Sequence, residues 1–112
     1  MTYVTQPSDP SRSDIDTLKG AAVVEFGASW CGYCRAAQPL IQAELADAPV
    51  QHIKVEDGKG QVLGRSFRVK LWPTLIFLNE GREVARVVRP TDREQIRTAL
   101  EQILAQEARQ AG

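Results

Sequence analysis

Apolar positions along the chain follow two different periods, and these predict alternating helices and strands. Apolar residues spaced three or four apart predict helices over residues 13–19, 34–47, 59–67 and 91–106. Continuous or alternating apolar runs predict strands over residues 21–26, 50–56, 73–78 and 83–88. The predicted order of elements is therefore α-β-α-β-α-β-β-α.

Short polar signals mark where the predicted helices begin or bend. Ser13 with Asp16, and Thr91 with Glu94, have the spacing of capping boxes. Pro39 lies inside the second predicted helix and should kink it, because proline removes one backbone donor.

The order of elements predicts an α/β fold. Strands joined through helices pair in parallel, whereas the last two strands, separated by a turn at 79–81, form an antiparallel hairpin. We expect a central mixed sheet of four to five strands with helices on both faces. We expect residues 1–112 to form one domain, in which 1–12 are a loose tail or short edge strand and 107–112 are loosely ordered.

Composition excludes some classes of function. The chain has 112 residues, enough for one domain, and its 14 basic and 14 acidic side chains cancel. No net field attracts nucleic acid or an anionic membrane, and no run approaches the roughly 18 apolar residues of a membrane span. Residues 1–7 lack the features of a secretory signal, so we expect a cytoplasmic protein, in which disulfides are usually catalytic.

The two cysteines of the chain lie in the segment Trp30-Cys31-Gly32-Tyr33-Cys34, between a predicted strand and a predicted helix. Cys31 at a helix start is placed to ionise, because the unpaired amides there favour an anion. Cys34 follows one turn later and can close a ring. This spacing predicts a reversible dithiol/disulfide pair, in which Cys31 attacks a substrate disulfide and Cys34 resolves the mixed disulfide.

Two other interpretations of the cysteines compete with a redox pair. Zinc needs four ligands, and beyond the cysteines only His52 remains among the usual nitrogen and sulfur donors. We therefore predict no metal and regard His52 as a bystander on a strand. A structural disulfide suits small secreted domains better than this chain.

For three further residues, the sequence alone favours an ordinary structural role or leaves the role open. Glu25 lies in an apolar strand, where a carboxylate is costly, so it is either a functional base or a structural partner. Lys54 alternates with two apolar neighbours and should be solvated. Pro73 by itself is an ordinary trans proline at the start of a strand.

Several spaced motifs are similar to those of the thioredoxin family. Residues 24–34 resemble its strand and active-site loop, whose usual motif is WCGPC, and Pro39 matches its helix-kinking proline. Trp72-Pro73-Thr74 resembles its cis-proline turn, and Gly81 matches a glycine after the following strand. The similarity extends from about residue 3 to residue 108.

The resemblance implies roles for particular residues. Pro73 would be cis beside the cysteines, and the backbone of Trp72 would pair with an extended substrate segment. Glu25 would act as base for Cys34, with Lys54 adjusting its charge. Trp30 would be half exposed and recognise substrate.

The chain also departs from the family pattern. Tyr33 replaces the usual proline between the cysteines and should alter the redox potential, while Gly32 permits close approach of a substrate backbone. Arg89 stands where a glycine commonly lines the substrate groove, so it should narrow the groove or add a positive contact. Gly27 replaces a frequent tryptophan, and Trp72 is bulky enough to be a substrate-facing plate or a plug.

These patterns predict a thiol–disulfide oxidoreductase that reduces protein disulfides. It would bind no cofactor beyond its redox-active disulfide and would receive electrons from NADPH through a separate thioredoxin reductase or another thiol donor. We expect a monomer with no nucleic-acid or membrane partner. The alternatives are an oxidase or isomerase with a more oxidising potential, which Tyr33 favours, and a non-catalytic binding module. A glutaredoxin fits less well, because the motif retains Trp30 and Gly32.

Overall fold

The computed structural model describes residues 9–58 and 60–111. The helices are α1 Arg12–Asp16, α2 Gly32–Leu45, α3 Val62–Ser66 and α4 Arg93–Ala111. The strands are β1 Ala21–Gly27, β2 Gln51–Glu56, β3 Thr74–Asn79 and β4 Arg82–Val88. The predicted order of elements is confirmed. Of the expected tail or edge strand over residues 1–12, residues 1–8 lie outside the described residues, residues 9–11 are in no helix or strand, and Arg12 begins α1.

The described strands form one mixed sheet in the order β2-β1-β3-β4. β1 pairs in parallel with β2, which places Glu25 opposite Lys54. β3 pairs antiparallel with both β1 and β4. This is the predicted α/β arrangement with four strands, in which β1 lies between β2 and β3 near the centre of the sheet.

Alternate residues of the central strands point to opposite faces, and each face is covered by two helices. Val23 and Phe77 pack with residues of α2 and α4 on one face. Phe26 and Ile76 pack with residues of α1 and α3 on the other. Because both faces are apolar, β1 and β3 have no exposed residue along their lengths. No helix in the described part of the chain is both long and apolar enough to cross a membrane.

Both predicted capping boxes are displaced in the structure. Ser11 caps α1, with its hydroxyl accepting from Asp14 N–H and the Asp14 carboxylate accepting from Ser11 N–H. At α4, Asp92 Oδ1 accepts from Gln95 N–H at 3.0 Å, and Gln95 Oε1 accepts from Asp92 N–H at 3.2 Å. The predictions at Ser13 and Thr91 were therefore wrong by two residues and one residue, because several neighbouring polar residues offer a similar spacing.

The helix boundaries also differ from the prediction, and α1 ends at Asp16 rather than at residue 19. α2 begins at Gly32 rather than at residue 34. The prediction began late because Gly32 and Tyr33 are exposed and add nothing to the apolar pattern. α3 begins only at Val62, after Gly60 adopts a left-handed φ of 66°. α4 continues to Ala111 rather than loosening from residue 107, and Asn79 Nδ2 donates to side chains of its last turns.

Candidate active site

The cysteines lie where the chain leaves β1 and enters α2. Cys31 is the N-cap residue, with extended backbone (φ −84°, ψ 122°), and its N–H donates to Ala28 O at 3.1 Å. Cys34 lies in the first turn of the helix and is fully buried, whereas Cys31 retains 7% exposure. The N-cap position is beside the unpaired amides and the positive end of the helix dipole, so it favours a thiolate.

The buried Cys34 thiol is held in its protonated form. Burial raises the pKa of Cys34 from 9.0 to about 12, and the neighbouring Cys31 sulfur and the Glu25 charge act in the same direction. A hydrogen bond from Ala28 N–H to Cys34 Sγ, at 3.5 Å, opposes part of this rise in pKa. The two cysteines are thus chemically different, although only two residues separate them.

A turn before β3 faces the cysteines. The Trp72–Pro73 peptide bond is cis, as the resemblance implied. Trp72 packs on the small cluster formed by Ala28, Cys31 and Cys34. Pro73 O accepts a hydrogen bond of 2.9 Å from Arg89 N–H, which ties the turn to the end of β4.

The two tryptophans form one aromatic unit beside the dithiol. Their rings meet edge to face with centroids 5.4 Å apart, and Trp30 remains 63% exposed. Trp72 Nε1 donates to Asp57 Oδ2 at 2.9 Å, so one edge of the Trp72 indole faces the protein interior. Trp72 is therefore a half-buried support for Trp30 as well as part of the turn.

Asp57 is a buried carboxyl group that the sequence did not suggest as part of the site. Its Oδ1 atom is buried and has no hydrogen-bond partner among the described residues. Burial raises the pKa of Asp57 above its ordinary value, and the hydrogen bond from Trp72 offsets only part of this effect. Its partner Trp72 lies 15 residues away along the chain, so no local spacing indicated the contact.

Glu25 is fully buried and is surrounded by polar side chains from α2 and β2. Its Oε2 accepts from Gln38 Nε2 at 2.8 Å and lies 3.3 Å from Lys54 Nζ. Its Oε1 lies 2.7 Å from His52 Nε2. Lys54 also donates to Gln38 Oε1 at 2.6 Å, so these four side chains form one polar cluster below the dithiol.

The cluster corrects two expectations. Lys54 is not solvated, because its side chain is only 14% exposed and lies against Glu25. His52 is not a bystander, since it is an immediate neighbour of the buried carboxylate. The strand alternation could have indicated both contacts. His52 and Lys54 are two residues apart on β2 and therefore share a face, so placing Lys54 opposite Glu25 also places His52 on the side of Glu25.

Gln38 links the cluster to the second cysteine. Its side-chain amide donates to Cys34 O at 3.4 Å as well as to Glu25. Nothing in the sequence pattern had indicated Gln38, which is a polar residue one turn beyond Cys34 on α2. Among the described residues no group of three or more His, Cys, Asp or Glu side chains is arranged so that it could hold a metal ion.

Arg89 and Tyr33 meet at the other side of the dithiol. The Arg89 guanidinium carbon lies 3.7 Å from the Tyr33 ring centroid, and Arg89 Nε donates to Trp72 O at 2.9 Å. Gly32, at the exposed start of α2, has open space where a side chain would lie. The surface next to Cys31 therefore combines an open backbone, an aromatic ring and a positive charge.

Disulfide exchange requires one sulfur that ionises and a second sulfur close enough to replace the substrate. A helix start supplies the first and the following turn supplies the second, so fold and site together define the class of thiol–disulfide oxidoreductases. The family model described as thioredoxin matches residues 5–102. The chain belongs to the thioredoxin family.

Individual relatives agree with this assignment. A thioredoxin of Chlamydia pneumoniae is 36% identical over 78 residues, which are 67% of this chain and 74% of that protein. A thioredoxin H-type of Ricinus communis is 40% identical over 72 residues, which are 62% of this chain and 60% of that protein. The structure of reduced thioredoxin 2 from Pseudomonas aeruginosa PAO1 is 50% identical, with a TM-score of 0.81 and coverage of 95% of this chain and 97% of that chain.

Proposed function

We propose that this protein reduces disulfide bonds of cytosolic proteins as a monomer and is recharged by a thioredoxin reductase or another thiol donor. The electrons would come from NADPH through that separate enzyme. The observation that carries the proposal is the pairing of an N-cap cysteine with a buried second thiol whose pKa is raised to about 12. Such a pair starts exchange at one sulfur and completes it at the other.

The reaction proceeds in two exchanges. The Cys31 thiolate attacks one sulfur of the substrate disulfide, whose S–S bond breaks, and the other substrate sulfur leaves as a thiolate. Cys34 then loses its proton and attacks Cys31 Sγ, which releases the second substrate thiolate and leaves a Cys31–Cys34 disulfide. Two electrons pass from the dithiol to the substrate, and the protons of the two cysteines end on the substrate thiols.

Glu25 is the base for the second exchange. A thiol with a pKa of about 12 is almost wholly protonated near neutral pH, so it needs a nearby proton acceptor before it can attack. Glu25 lies below the dithiol and is joined through Gln38 to the backbone of Cys34. Lys54 and His52 contact its two oxygens and position the carboxylate.

Substrate binds over the exposed rim of the dithiol. Trp30 and Tyr33 present large aromatic surfaces that are 63% and 59% exposed, and aromatic groups are typical anchors in protein interfaces. Gly32 leaves space for the substrate backbone. Trp72, ahead of the buried Pro73, offers its backbone to an extended segment, as in strand addition.

Reduction of a model protein disulfide tests this function. With thioredoxin reductase and NADPH, the wild-type protein should reduce the disulfide at the expense of NADPH, and Cys31→Ser should abolish turnover. Cys34→Ser should instead accumulate a mixed disulfide with substrate, detectable as a mass adduct that a reducing agent removes. If Cys31→Ser retained full activity, Cys31 would not be the attacking sulfur. If the wild-type protein reduced no disulfide at all, it would act as a binding module rather than as an exchange enzyme.

Equilibration with a glutathione buffer decides the direction of the reaction. A reductase requires a reduction potential near that of the reducing cytosol, whereas a strongly oxidising potential would support the oxidase or isomerase alternative. The family and the relatives described above favour neither that alternative nor a non-catalytic module.

A further inference from the structure

Arg89 is fixed close to the dithiol by its own backbone. It follows the last residue of β4 with a left-handed φ of 50°, and its N–H donates to Pro73 O at 2.9 Å. A residue other than glycine in this region is uncommon and is maintained by its surroundings. The side chain therefore leaves from a defined point above the Trp72–Pro73 turn.

The Arg89 guanidinium has an aromatic partner and a carbonyl partner. It lies over Tyr33, with 3.7 Å from its carbon to the ring centroid, and its Nε donates to Trp72 O. Within the described residues no carboxylate oxygen lies within 4.0 Å of its nitrogens, whereas Arg86, Arg93 and Arg97 each have such a partner. An arginine presents five donors, and the described contacts use one of them, so its terminal amino groups can still bind a carboxylate.

A groove of about 340 Å³ begins at this charge. It is lined by Tyr33, Ala36, Leu40, Arg89, Pro90 and Thr91. Most of this lining is apolar, and Arg89 is the one charged residue among the lining residues named. An acidic side chain fits this combination, because its methylene groups can pack on the apolar wall while its carboxylate meets the guanidinium.

We propose that Arg89 is a specificity residue that selects protein disulfides flanked by an acidic residue. The inference rests on the proposed function, since it concerns the substrates of the same dithiol. When an extended segment pairs with the backbone of Trp72, the hydrogen bond from Arg89 Nε to Trp72 O breaks, and the Arg89 guanidinium donates to the substrate carboxylate instead. The ring of Tyr33 holds the guanidinium in place during this exchange.

Three disulfide peptides that differ only in one residue beside the cystine, Glu, Gln or Lys, test the proposal. For the wild-type protein we expect kcat/KM for the Glu peptide to exceed that for the Gln peptide by about fivefold to tenfold, with the Lys peptide slowest. Added salt should reduce this ratio, because the contact is partly exposed. Arg89→Gln should bring the three values to within about twofold of one another.

Arg82→Gln is the matched control, because Arg82 is exposed at the opposite end of β4 and the substitution changes the net charge equally. It should leave the preference for the Glu peptide unchanged. The preference is a ratio within each variant, so a general loss of activity in Arg89→Gln does not mimic the expected result.

Two results would overturn the proposal while leaving the proposed function intact. One is equal reduction of all three peptides by the wild-type protein. The other is an equal gain for all peptides in Arg89→Gln, which would make Arg89 a steric barrier instead. Failure of the wild-type protein to reduce any of the peptides or the model protein disulfide would contradict the proposed function itself.

Discussion

Glu25 is a carboxylate without exposed surface, and its environment explains how it can be both buried and useful. Polar side chains on α2 and β2 contact its two oxygens, so the desolvation that would otherwise exclude a charge is compensated. The same enclosure keeps the group next to a thiol that resists ionisation. A role in proton transfer therefore depends on the carboxylate and not on the volume of the side chain.

Glu25→Gln should slow the second exchange by roughly one hundredfold, because the amide fills the same space but cannot accept the Cys34 proton. Stopped-flow measurement of mixed-disulfide resolution between pH 6 and 9 would show this. Glu44→Gln is the matched control, since Glu44 lies on α2 but binds Arg93 and Arg97. Equal resolution rates in Glu25→Gln and the wild type would remove Glu25 from the mechanism.

Asp57 should make stability depend on pH in a specific direction. Burial raises its pKa in the folded protein above 3.8, so the folded state binds this proton more readily than the unfolded chain. The stabilising contribution is then complete below pH 3.8 and is lost as pH rises through the raised folded-state pKa. At neutral pH the ionised group opposes folding.

Asp57→Asn should therefore raise the free energy of unfolding at pH 7 and should lose this advantage as the pH falls below the ordinary carboxyl range. The Asn oxygen can still accept the hydrogen bond of Trp72 Nε1, which limits other changes. Urea unfolding of both proteins between pH 3.5 and 8 measures the difference. Asp47→Asn, at an exposed site, serves as control, and a pH-independent gain at position 57 would contradict the explanation.

At the scale of single elements, helix α4 shows why polar spacing alone misplaces a cap. Thr91, Asp92, Glu94 and Gln95 supply two overlapping pairs with the same separation, and the structure uses the second. The choice depends on where the chain leaves the end of β4, which the local sequence does not show.

Asp92→Ala should reduce the free energy of unfolding by about 1 kcal/mol, because it removes the acceptor for Gln95 N–H at the start of the helix. Glu94→Ala should change it by less than about half of that, since its ion pair with Arg97 is largely exposed. Thermal or urea unfolding of both variants compares the two positions directly. A larger loss in Glu94→Ala would favour the capping box first predicted at Thr91.

Helix α2 positions both the dithiol and one residue of the polar cluster around Glu25. Cys31 is its N-cap residue, Cys34 lies in its first turn, and its next turn contains Gln38, which reaches Glu25. The predicted helix start at residue 34 was two residues late, because the two residues before it are exposed and do not contribute to the apolar periodicity. The prediction that Cys31 lies at a helix start nevertheless holds, since it depends on the strand-to-helix order.

At the scale of the whole molecule, local signals predicted more than distant ones. The position of the cysteines at a strand-to-helix junction and the order of elements follow from local patterns, and both were predicted. The cis bond at Pro73 was implied only by the resemblance to the thioredoxin family. The contact of Gln38 with Glu25 depends on how α2 packs against β1, and the contact of Asp57 with Trp72 joins residues 15 positions apart. Because these partners are distant along the chain, periodicity could not reveal either contact.

The edge-to-face pair of Trp30 and Trp72 has an optical consequence. Both tryptophans of the chain lie in this pair, and Trp72 packs on Cys31 and Cys34. Almost all of the intrinsic fluorescence therefore originates beside the two sulfurs, where a newly formed disulfide is a nearby quencher. Emission intensity should consequently follow the oxidation of the protein in real time, without any attached dye.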